Sequence, residues 1–439
     1  MTKIELTRRD FLTASAALGV GAIYPPLANC GQVATTAHAA LNGANDKIAI
    51  GMIGVGRRAN SMLRTYFLKD DQFRVVAVCD ADATRNSMIA DLVNRAYSNS
   101  DCATYTDYHE LLAREDIDAV VIATPDHWHV HQCLDASKAG KHIYCEKPLT
   151  HNLHESKLII EAITQAGNVV FQTGSQQRSE YNYNFVRAVE YIRSGRIGAI
   201  QEVYVGVGAS PIPCDLPDQP TPEGLDWDKW LGPAPLRGYH VELAPEGIPN
   251  VWPQWRRYRE YCAGGLGDMG AHQFDVVQWA LGMDHTLPVQ IIPPADEQAT
   301  HGAILVYANG VRVIHEDRGM GGAGCTFVGE KGTINVSRFD LAADPEGMLD
   351  LPLDDSDVHL PRNENHAKNW ADCIRSGDKP ICNVEVGARS AAVCHLLNIG
   401  YRLRTELQWD PEAWRFTNSE EANGLRERER RHGYELPRV

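Results

Sequence analysis

The stretch that decides the fold runs over residues 47–60 and reads KIAIGMIGVGRRAN. An apolar run that ends in closely spaced glycines predicts a buried β-strand, and the polar residues after it predict the start of a helix. Gly54 and Gly56 allow a tight turn and a close approach of the backbone to a ligand. The free N–H groups at the start of the helix favour a phosphate there. The stretch therefore predicts the first strand, turn and helix of a dinucleotide-binding fold.

The same pattern repeats further along the chain. Three more apolar runs are RVVAVCD, DAVVIATP and KHIYCEKP, at residues 74–80, 118–125 and 141–148. Strands buried on both faces that alternate with helices predict a parallel, doubly wound sheet. After residue 174, short alternating segments joined by turns such as Asn309-Gly310 predict an antiparallel sheet instead. The predicted α/β chain has a Rossmann domain (40–174), an α+β domain with an open antiparallel sheet (175–409) and a C-terminal extension (410–439).

Length and charge narrow the function classes. The chain has 439 residues, which suits two or three domains, and a formal net charge of −15. Because such a charge repels phosphate backbones, a nucleic-acid partner is disfavoured unless a basic patch exists. The only basic run, Arg426–Arg431, is interleaved with glutamates and reads as a solvated terminal helix.

The N-terminal residues predict where in the cell the protein is located. Thr7-Arg8-Arg9-Asp10-Phe11-Leu12 resembles a twin-arginine export signal, and a short, weakly apolar segment follows it. Ala37-His38-Ala39 offers a cleavage site, with lipidation at Cys30 as the alternative. We therefore expect residues 1–39 to be a signal peptide that the twin-arginine export machinery reads, and the mature protein to be periplasmic or tethered through Cys30.

A carboxylate at the end of the second strand indicates which dinucleotide is bound. Asp80 lies where the ribose 2′-hydroxyl of NAD needs an acceptor, which favours NAD over NADP. Arg57, Arg58 and Arg85 keep NADP open, because arginines can accommodate a 2′-phosphate.

The histidines of Asp126-His-Trp-His-Val-His131 allow two interpretations. Alternating histidines on a strand would share one face and could bind a metal. No cluster of Cys, Asp or Glu completes a ligand set nearby, and the segment lies where a strand gives way to a helix. We therefore predict no metal, with Asp126 as a helix cap and its neighbours in contact with cofactor or substrate.

Two further motifs carry side chains suited to proton transfer. Glu146-Lys147-Pro148 ends a strand at the edge of the sheet where ligands bind, although a surface turn with a Glu–Lys pair explains it equally well. Asp268 and His272 are spaced to share a helix face, so the carboxylate could fix the tautomer of a histidine that takes up a proton. The alternative is a helix cap and a packed histidine.

The motifs GMIGVG, TPDHWH, GKHIYCEKPL and GGLGDMGAHQFD occur in this order and together resemble the Gfo/Idh/MocA oxidoreductase family. The resemblance extends from about Lys47 to Arg404. It implies that Lys147 is the catalytic lysine, Asp268 a substrate-binding aspartate and His272 the histidine that transfers the proton. The cofactor-binding residues expected from these motifs are Gly54, Gly56, Arg57, Arg58, Asp80, Thr124, Pro125, His129, Glu146 and Lys147. Besides Asp268 and His272, the expected substrate contacts are Trp128, Gln176, Arg178, Tyr258 and the tryptophans at 227, 230, 252 and 255.

The resemblance implies an NAD(P)-dependent oxidoreductase that transfers a hydride from a hydroxyl-bearing carbon of a sugar, glycoside or polyol. Because an exported enzyme cannot draw on the cytoplasmic NAD pool, we expect a tightly bound cofactor that is regenerated in place. A redox-neutral, NAD-dependent glycoside hydrolase is the alternative, and the intact Glu146-Lys147-Pro148 favours the oxidoreductase. A silent scaffold is disfavoured because Lys147, Asp268 and His272 occur together. The resemblance also implies a homo-oligomer, a dimer or a tetramer.

Overall fold

The computed structural model describes residues 47–437 except 320, 322 and 364. The predicted signal peptide therefore lies outside the described residues. None of the described helices combines the length and the hydropathy that a membrane span needs.

The N-terminal sheet is parallel throughout, as predicted. Its six strands lie in the order β3-β2-β1-β4-β5-β6. The strands are β1 (Ile48–Ile53), β2 (Phe73–Cys79), β3 (Ala103–Tyr105), β4 (Ala119–Ile122), β5 (His142–Cys145) and β6 (Phe171–Thr173). The helices are α1 (Arg57–Met62), which continues as a π-helical turn to Phe67, α2 (Ala83–Tyr97), α3 (Tyr108–Leu112), α4 (Asp126–Lys138) and α5 (Leu153–Ala166). Strand order reverses between β1 and β4, so their carboxyl ends open a crevice for a ligand.

The second sheet has nine strands and is mixed. Its order is β13-β12-β11-β7-β10-β9-β8-β14-β15. The strands are β7 (Ile200–Gly206), β8 (Gln290–Ile292), β9 (Ile304–Val306), β10 (Arg312–Ile314), β11 (Gly324–Gly329), β12 (Gly332–Ser337), β13 (Leu341–Asp344), β14 (Leu407–Asp410) and β15 (Arg415–Phe416). The predicted open antiparallel sheet contains one parallel pair, because β7 and β10 run parallel. The long helical segment after β7 gives the chain the length to cross over.

Seven further α-helices follow the Rossmann domain in the part of the chain that the structure describes. They are α6 (Asn184–Arg193), α7 (Trp227–Leu231), α8 (Gly264–Asp268), α9 (Gly270–Leu281), α10 (His366–Ser376), α11 (Val384–Leu403) and α12 (Glu420–Gly424). Side chains of α6, α9 and α11 share a core with the inner face of the sheet. Helix α10 instead joins the Rossmann core, where Trp370 stacks on Phe73 and meets Tyr144 edge-on.

The predicted C-terminal extension is not a separate appendage. Strands β14 and β15 complete the second sheet, and the residues after α12 return to the Rossmann domain. There Arg430 pairs with the buried carboxylate of Glu155 at 2.8 Å, and a ring nitrogen of His131 bonds the carbonyl of Tyr434 at 2.9 Å. The expected terminal helix over Arg426–Arg431 does not form; Arg428 and Arg430 instead bind Glu155 of the Rossmann domain, and Arg431 binds Asp228 of α7.

Candidate active site

The turn between β1 and α1 needs glycine. Gly54 has φ +80°, and a Cβ there would lie 2.6 Å from the backbone nitrogen of Thr124. Any side chain would therefore separate β1 from β4. The resulting crevice, which we call the outer cavity, is lined by Gly54, Gly56, Asp80, Thr124, Trp128 and Tyr434. Pro125, Arg57 and Arg58 also border it.

Asp80 holds the turn and faces the outer cavity. Its carboxylate accepts the N–H groups of Val55 at 2.8 Å and of Asp82 at 3.0 Å. Burial raises the pKa of Asp80, although the charge of Arg85 opposes that shift. A carboxylate beside a glycine turn and a helix N-terminus is the donor and acceptor set that a dinucleotide needs, so these residues fit one.

Two of the three arginines that kept NADP open, Arg57 and Arg85, are engaged by backbone carbonyls, and Arg58 pairs with Glu146. Arg85 donates to the carbonyl of Gly247 at 2.7 Å and to that of Pro245 at 2.5 Å. Arg57 donates to the carbonyl of Pro249 at 3.2 Å and stacks on Trp252 at 5.0 Å. The segment from 245 to 252 thus occupies the groups that would otherwise meet a 2′-phosphate.

A second space adjoins the first and has a volume of about 330 Å³. This inner cavity is lined by Lys147, Gln176, Arg256, Asp268, His272 and Arg338. The ammonium group of Lys147 donates to the carboxylate and to the carbonyl oxygen of Asp268, both at 2.7 Å. Residues 121 positions apart in the chain are therefore joined at one point, as the resemblance implied.

Opposing influences act on Asp268. Burial alone would raise its pKa, but the charges of Lys147 and Arg256 outweigh burial and hold the pKa below its ordinary value. The carboxylate is consequently ionised at neutral pH and fixes the position of the Lys147 ammonium.

His272 is buried and neutral. Burial lowers its pKa well below the ordinary value, and the nearby charges of Lys147 and Arg338 lower it further. Its Nδ1 has no hydrogen-bond partner among the described residues. The expectation that Asp268 fixes the tautomer of His272 is wrong, because the helix breaks at Met269 and the carboxylate turns to two cations instead. A neutral imidazole with an unpartnered nitrogen can accept a proton.

Glu146 connects the two cavities. Its carboxylate accepts the Nε–H of Arg58 at 2.9 Å and the amide of Gln176 at 2.9 Å. Arg58 belongs to α1, directly after the glycine turn, and lines both cavities. The pair thus fixes the strand that carries Lys147 relative to the dinucleotide turn.

Asp126 differs from its predicted role. Pro125, not Asp126, is the N-cap of α4, and the Asp126 carboxylate lies in the first turn and faces the inner cavity. The residue is 2% exposed, and one carboxylate oxygen has no partner among the described residues. Burial raises the pKa of Asp126 to about 7. The side chain is thus a buried acid that is partly protonated at neutral pH.

His129 is a buried residue that supports the site without lining either cavity. It is 1% exposed, and its ring nitrogens bond the carbonyls of Pro148 at 2.7 Å and of Thr124 at 3.0 Å. These bonds connect the end of β4 to the turn that carries Lys147. His129 therefore positions the two turns and lines neither cavity.

Three predicted sugar contacts lie elsewhere. Arg178 is 2% exposed and pairs with Asp275 and Asp284, both at 2.7 Å, so a buried ion pair uses its charge. Tyr258 packs in a buried aromatic cluster of the second domain. Trp128 lines the outer cavity and donates to the carbonyl of Trp230 at 3.1 Å. Of the predicted sugar contacts other than Asp268 and His272, Gln176, Trp252 and Trp255 line the inner cavity, Trp230 lines the outer cavity, and Trp227 lines neither.

The histidines around Asp126 do not gather ligands for a metal. Over the described residues, no group of three or more His, Cys, Asp or Glu could hold an ion. Burial lowers the pKa values of His127 and His131, and each ring bonds a backbone carbonyl.

Sequence reasoning missed four residues that border the cavities. Arg256 directly follows the second of two predicted tryptophans in WPQWRRY, so an aromatic and basic run was a usable signal. Arg338, which follows β12, and Tyr434, near the chain end, have no local signal. Asp126 was seen only as a cap.

Models of the Gfo/Idh/MocA oxidoreductase family match two parts of the chain. The model of the NAD-binding Rossmann fold matches residues 48–174, and the model of the C-terminal alpha/beta domain matches residues 209–436. The second match includes residues 410–436 of the segment that was predicted to form an extension.

Individual relatives point the same way. The chain is 29% identical to inositol 2-dehydrogenase of Rubrobacter xylanophilus over 36% of its length and 43% of the relative's. It is 29% identical to a glycosyl hydrolase family 109 protein of Saccharopolyspora erythraea over 46% of its own length and 45% of the relative's. It therefore spans less than half the length of these curated relatives. The WlbA dehydrogenase of Bordetella pertussis, solved with NADH and UDP-GlcNAcA, is 20% identical with a TM-score of 0.56, over 83% of this chain and 99% of that one.

Proposed function

Because the chain belongs to the Gfo/Idh/MocA oxidoreductase family and has its NAD-binding Rossmann domain, we propose that it is an NAD-dependent oxidoreductase of a sugar, glycoside or polyol hydroxyl. One observation carries the proposal. The Lys147 ammonium, fixed on Asp268 at 2.7 Å, shares a cavity next to the dinucleotide crevice with the neutral His272, whose Nδ1 has no hydrogen-bond partner among the described residues.

The residues of the chain divide the work of oxidation. Lys147 donates a hydrogen bond to the substrate hydroxyl oxygen and favours loss of its proton. His272 accepts that proton, which its neutrality allows. Asp268 keeps the ammonium in place, and the buried walls exclude water. When bound, the nicotinamide dinucleotide supplies the hydride acceptor.

NAD and tight retention belong to the same proposal. The Asp80 carboxylate and the engagement of Arg57 and Arg85 by backbone carbonyls support NAD over NADP. The C-terminal segment that packs on the Rossmann domain supports tight binding of the cofactor. Tyr434 of this segment borders the outer cavity, and Arg431 donates two hydrogen bonds to the carboxylate of Asp228, at 2.7 Å and 3.0 Å.

We also propose export through the twin-arginine route to the periplasm, supported by Arg8-Arg9 and the segment after it. Export is compatible with a cofactor that is loaded before transport and regenerated by a second substrate. A homo-oligomeric state is proposed on the resemblance alone. Fractionation of cells and light scattering of the purified protein test these two points.

A redox-neutral glycoside hydrolase is the second candidate, because family 109 glycosyl hydrolases are among the relatives. In that cycle the sugar is oxidised, loses its aglycone, takes up water and is reduced again. The proposed proton acceptor and lysine serve both reactions, so the substrates decide between them.

One experiment tests the function. The protein is purified without added cofactor and denatured, and the released nucleotide is identified by mass. Native protein is then incubated with free sugars, polyols and aryl glycosides. Bound NAD(H) with sugar-dependent reduction and no aglycone release is expected. Aglycone release supports the hydrolase, and absence of nucleotide together with no turnover on added NAD overturns both.

A further inference from the structure

The inner cavity carries more positive charge than its carboxylates neutralise. Arg58 pairs with Glu146 at 2.9 Å. Lys147, at 2.7 Å, and Arg256, at 3.6 Å, share the single carboxylate of Asp268. The third acid, Asp126, has a pKa raised by burial to about 7, so at neutral pH it carries only part of a negative charge. A neutral sugar gives no reason for this surplus.

Arg338 accounts for the remaining positive charge. In the part of the chain that the structure describes, no carboxylate lies within 4.0 Å of its guanidinium. Its Nε donates to the amide oxygen of Gln177 at 3.0 Å, and its plane lies over the ring of Tyr181 at 4.7 Å. The two terminal nitrogens are left for a ligand. A planar guanidinium offers such an edge to a carboxylate in two parallel hydrogen bonds.

The position of Arg338 is built rather than accidental. The amide nitrogen of Gln177 donates to the carbonyl of His272 at 3.3 Å, so the group that orients Arg338 is itself fixed to α9. Arg338 follows β12, which approaches the cavity from the second sheet. Both Asp268 and His272 feel its charge. The arginine therefore lies within electrostatic range of the proposed reacting hydroxyl.

We propose that the substrate is an anionic sugar whose carboxylate binds Arg338 while one ring hydroxyl contacts Lys147 and His272. This inference rests on the proposed function and names its substrate class. The cavity volume of about 330 Å³ lies at the low end for small-molecule sites, which suits a single sugar ring. Arg256 adds a second positive charge to the lining of the same cavity, held over Trp255 at 4.1 Å.

Matched pairs of sugars test the inference on NAD-loaded protein. We compare glucuronate with glucose and galacturonate with galactose, and add glucose 6-phosphate as a second anion. In the wild type, kcat/KM is expected to be at least about 30-fold higher for an acid than for its neutral partner. Arg338→Gln is expected to lower that ratio by about 30-fold, mainly through KM. Arg318→Gln removes an exposed arginine that stacks on Tyr204 and serves as the matched control, with no change expected.

The outcomes separate a binding role from other roles. If Arg338 acted only on the protonation of His272, Arg338→Gln would lower kcat equally for acids and neutral sugars, and the inference would be overturned. Faster turnover of neutral sugars, or of the phosphate alone, would also overturn it and leave the proposed function standing. If none of the sugars is turned over, the binding of glucuronate to the wild type and to Arg338→Gln is measured by calorimetry. Binding that depends on Arg338 then supports the anion site while the proposed function fails, and no binding overturns the site.

Discussion

The two cavities are assembled from very different stretches of the chain. Gly54, Asp80 and Thr124 reach the outer cavity from three strand ends of one parallel sheet. Lys147, Asp268 and Arg338 reach the inner cavity from both domains. A repeated βα pattern fixes the first set locally, whereas the second depends on how the sheets and α9 come together. Substitutions in the inner cavity should therefore affect chemistry and charge, and those in the outer cavity should affect cofactor affinity.

The largest effect is expected at Lys147. Lys147→Ala removes the ammonium that binds the substrate hydroxyl, so kcat should fall by about 10²–10⁴ while bound NAD is retained. Steady-state kinetics and nucleotide content measure the two effects. Lys138→Ala, an exposed residue on α4 that pairs with Asp135, is the control. Unchanged turnover in Lys147→Ala would remove the lysine from the reaction.

The buried acid of the inner cavity gives a pH test. Burial raises the pKa of Asp126 in the folded protein to about 7, whereas in the unfolded chain the ordinary value of about 4 applies. The free energy of unfolding is therefore highest below about pH 4, where both states are protonated. It decreases as the pH rises from about 4 to 7, because the unfolded state ionises more readily. Asp126→Asn removes this loss. At pH 8 the variant should have a free energy of unfolding about 4 kcal/mol higher than the wild type, less what its altered hydrogen bonding costs. Urea unfolding at pH 4 and pH 8 measures this, and an equal difference at both would contradict it.

In the outer cavity, Asp80→Asn should weaken NAD binding by about 10-fold, because an amide accepts a weaker hydrogen bond from the ribose. The structure adds a condition that the sequence did not reveal. Asp80 also accepts the N–H groups of Val55 and Asp82, so removal of the whole side chain would disturb the turn. Titration of stripped protein with NAD and NADP measures the effect. An unchanged NAD affinity would exclude Asp80 from the ribose contact.

The sequence predicted the outer cavity better than the inner one for a physical reason. The turn after β1 requires glycine whatever the position of the second domain. GMIGVG and Asp80 could therefore be interpreted from the local sequence alone. Lys147, Asp268 and His272 were found through resemblance, since their spacing equally suited a surface turn and a helix cap. Arg178 was misassigned because nothing local shows that α9 supplies Asp275 as its partner. Arg338 follows an ordinary strand, and its role depends on Gln177, which lies 161 residues away.

Tyr434 is an exception to this difference between the two cavities. It borders the outer cavity, whose other residues discussed above come from neighbouring strand ends of the Rossmann domain, although it lies in the C-terminal segment. Its ring meets Trp128 edge-on at 5.6 Å, and its backbone carbonyl is fixed by His131. Tyr434→Ala removes only the ring, so NAD should dissociate about 5–10-fold faster, as expected for the loss of one aromatic contact. Tyr434→Phe keeps the ring and should release NAD like the wild type. Stopped-flow fluorescence of NADH release measures both, and equal rates in all three proteins would show that the C-terminal segment packs beside the cofactor without retaining it.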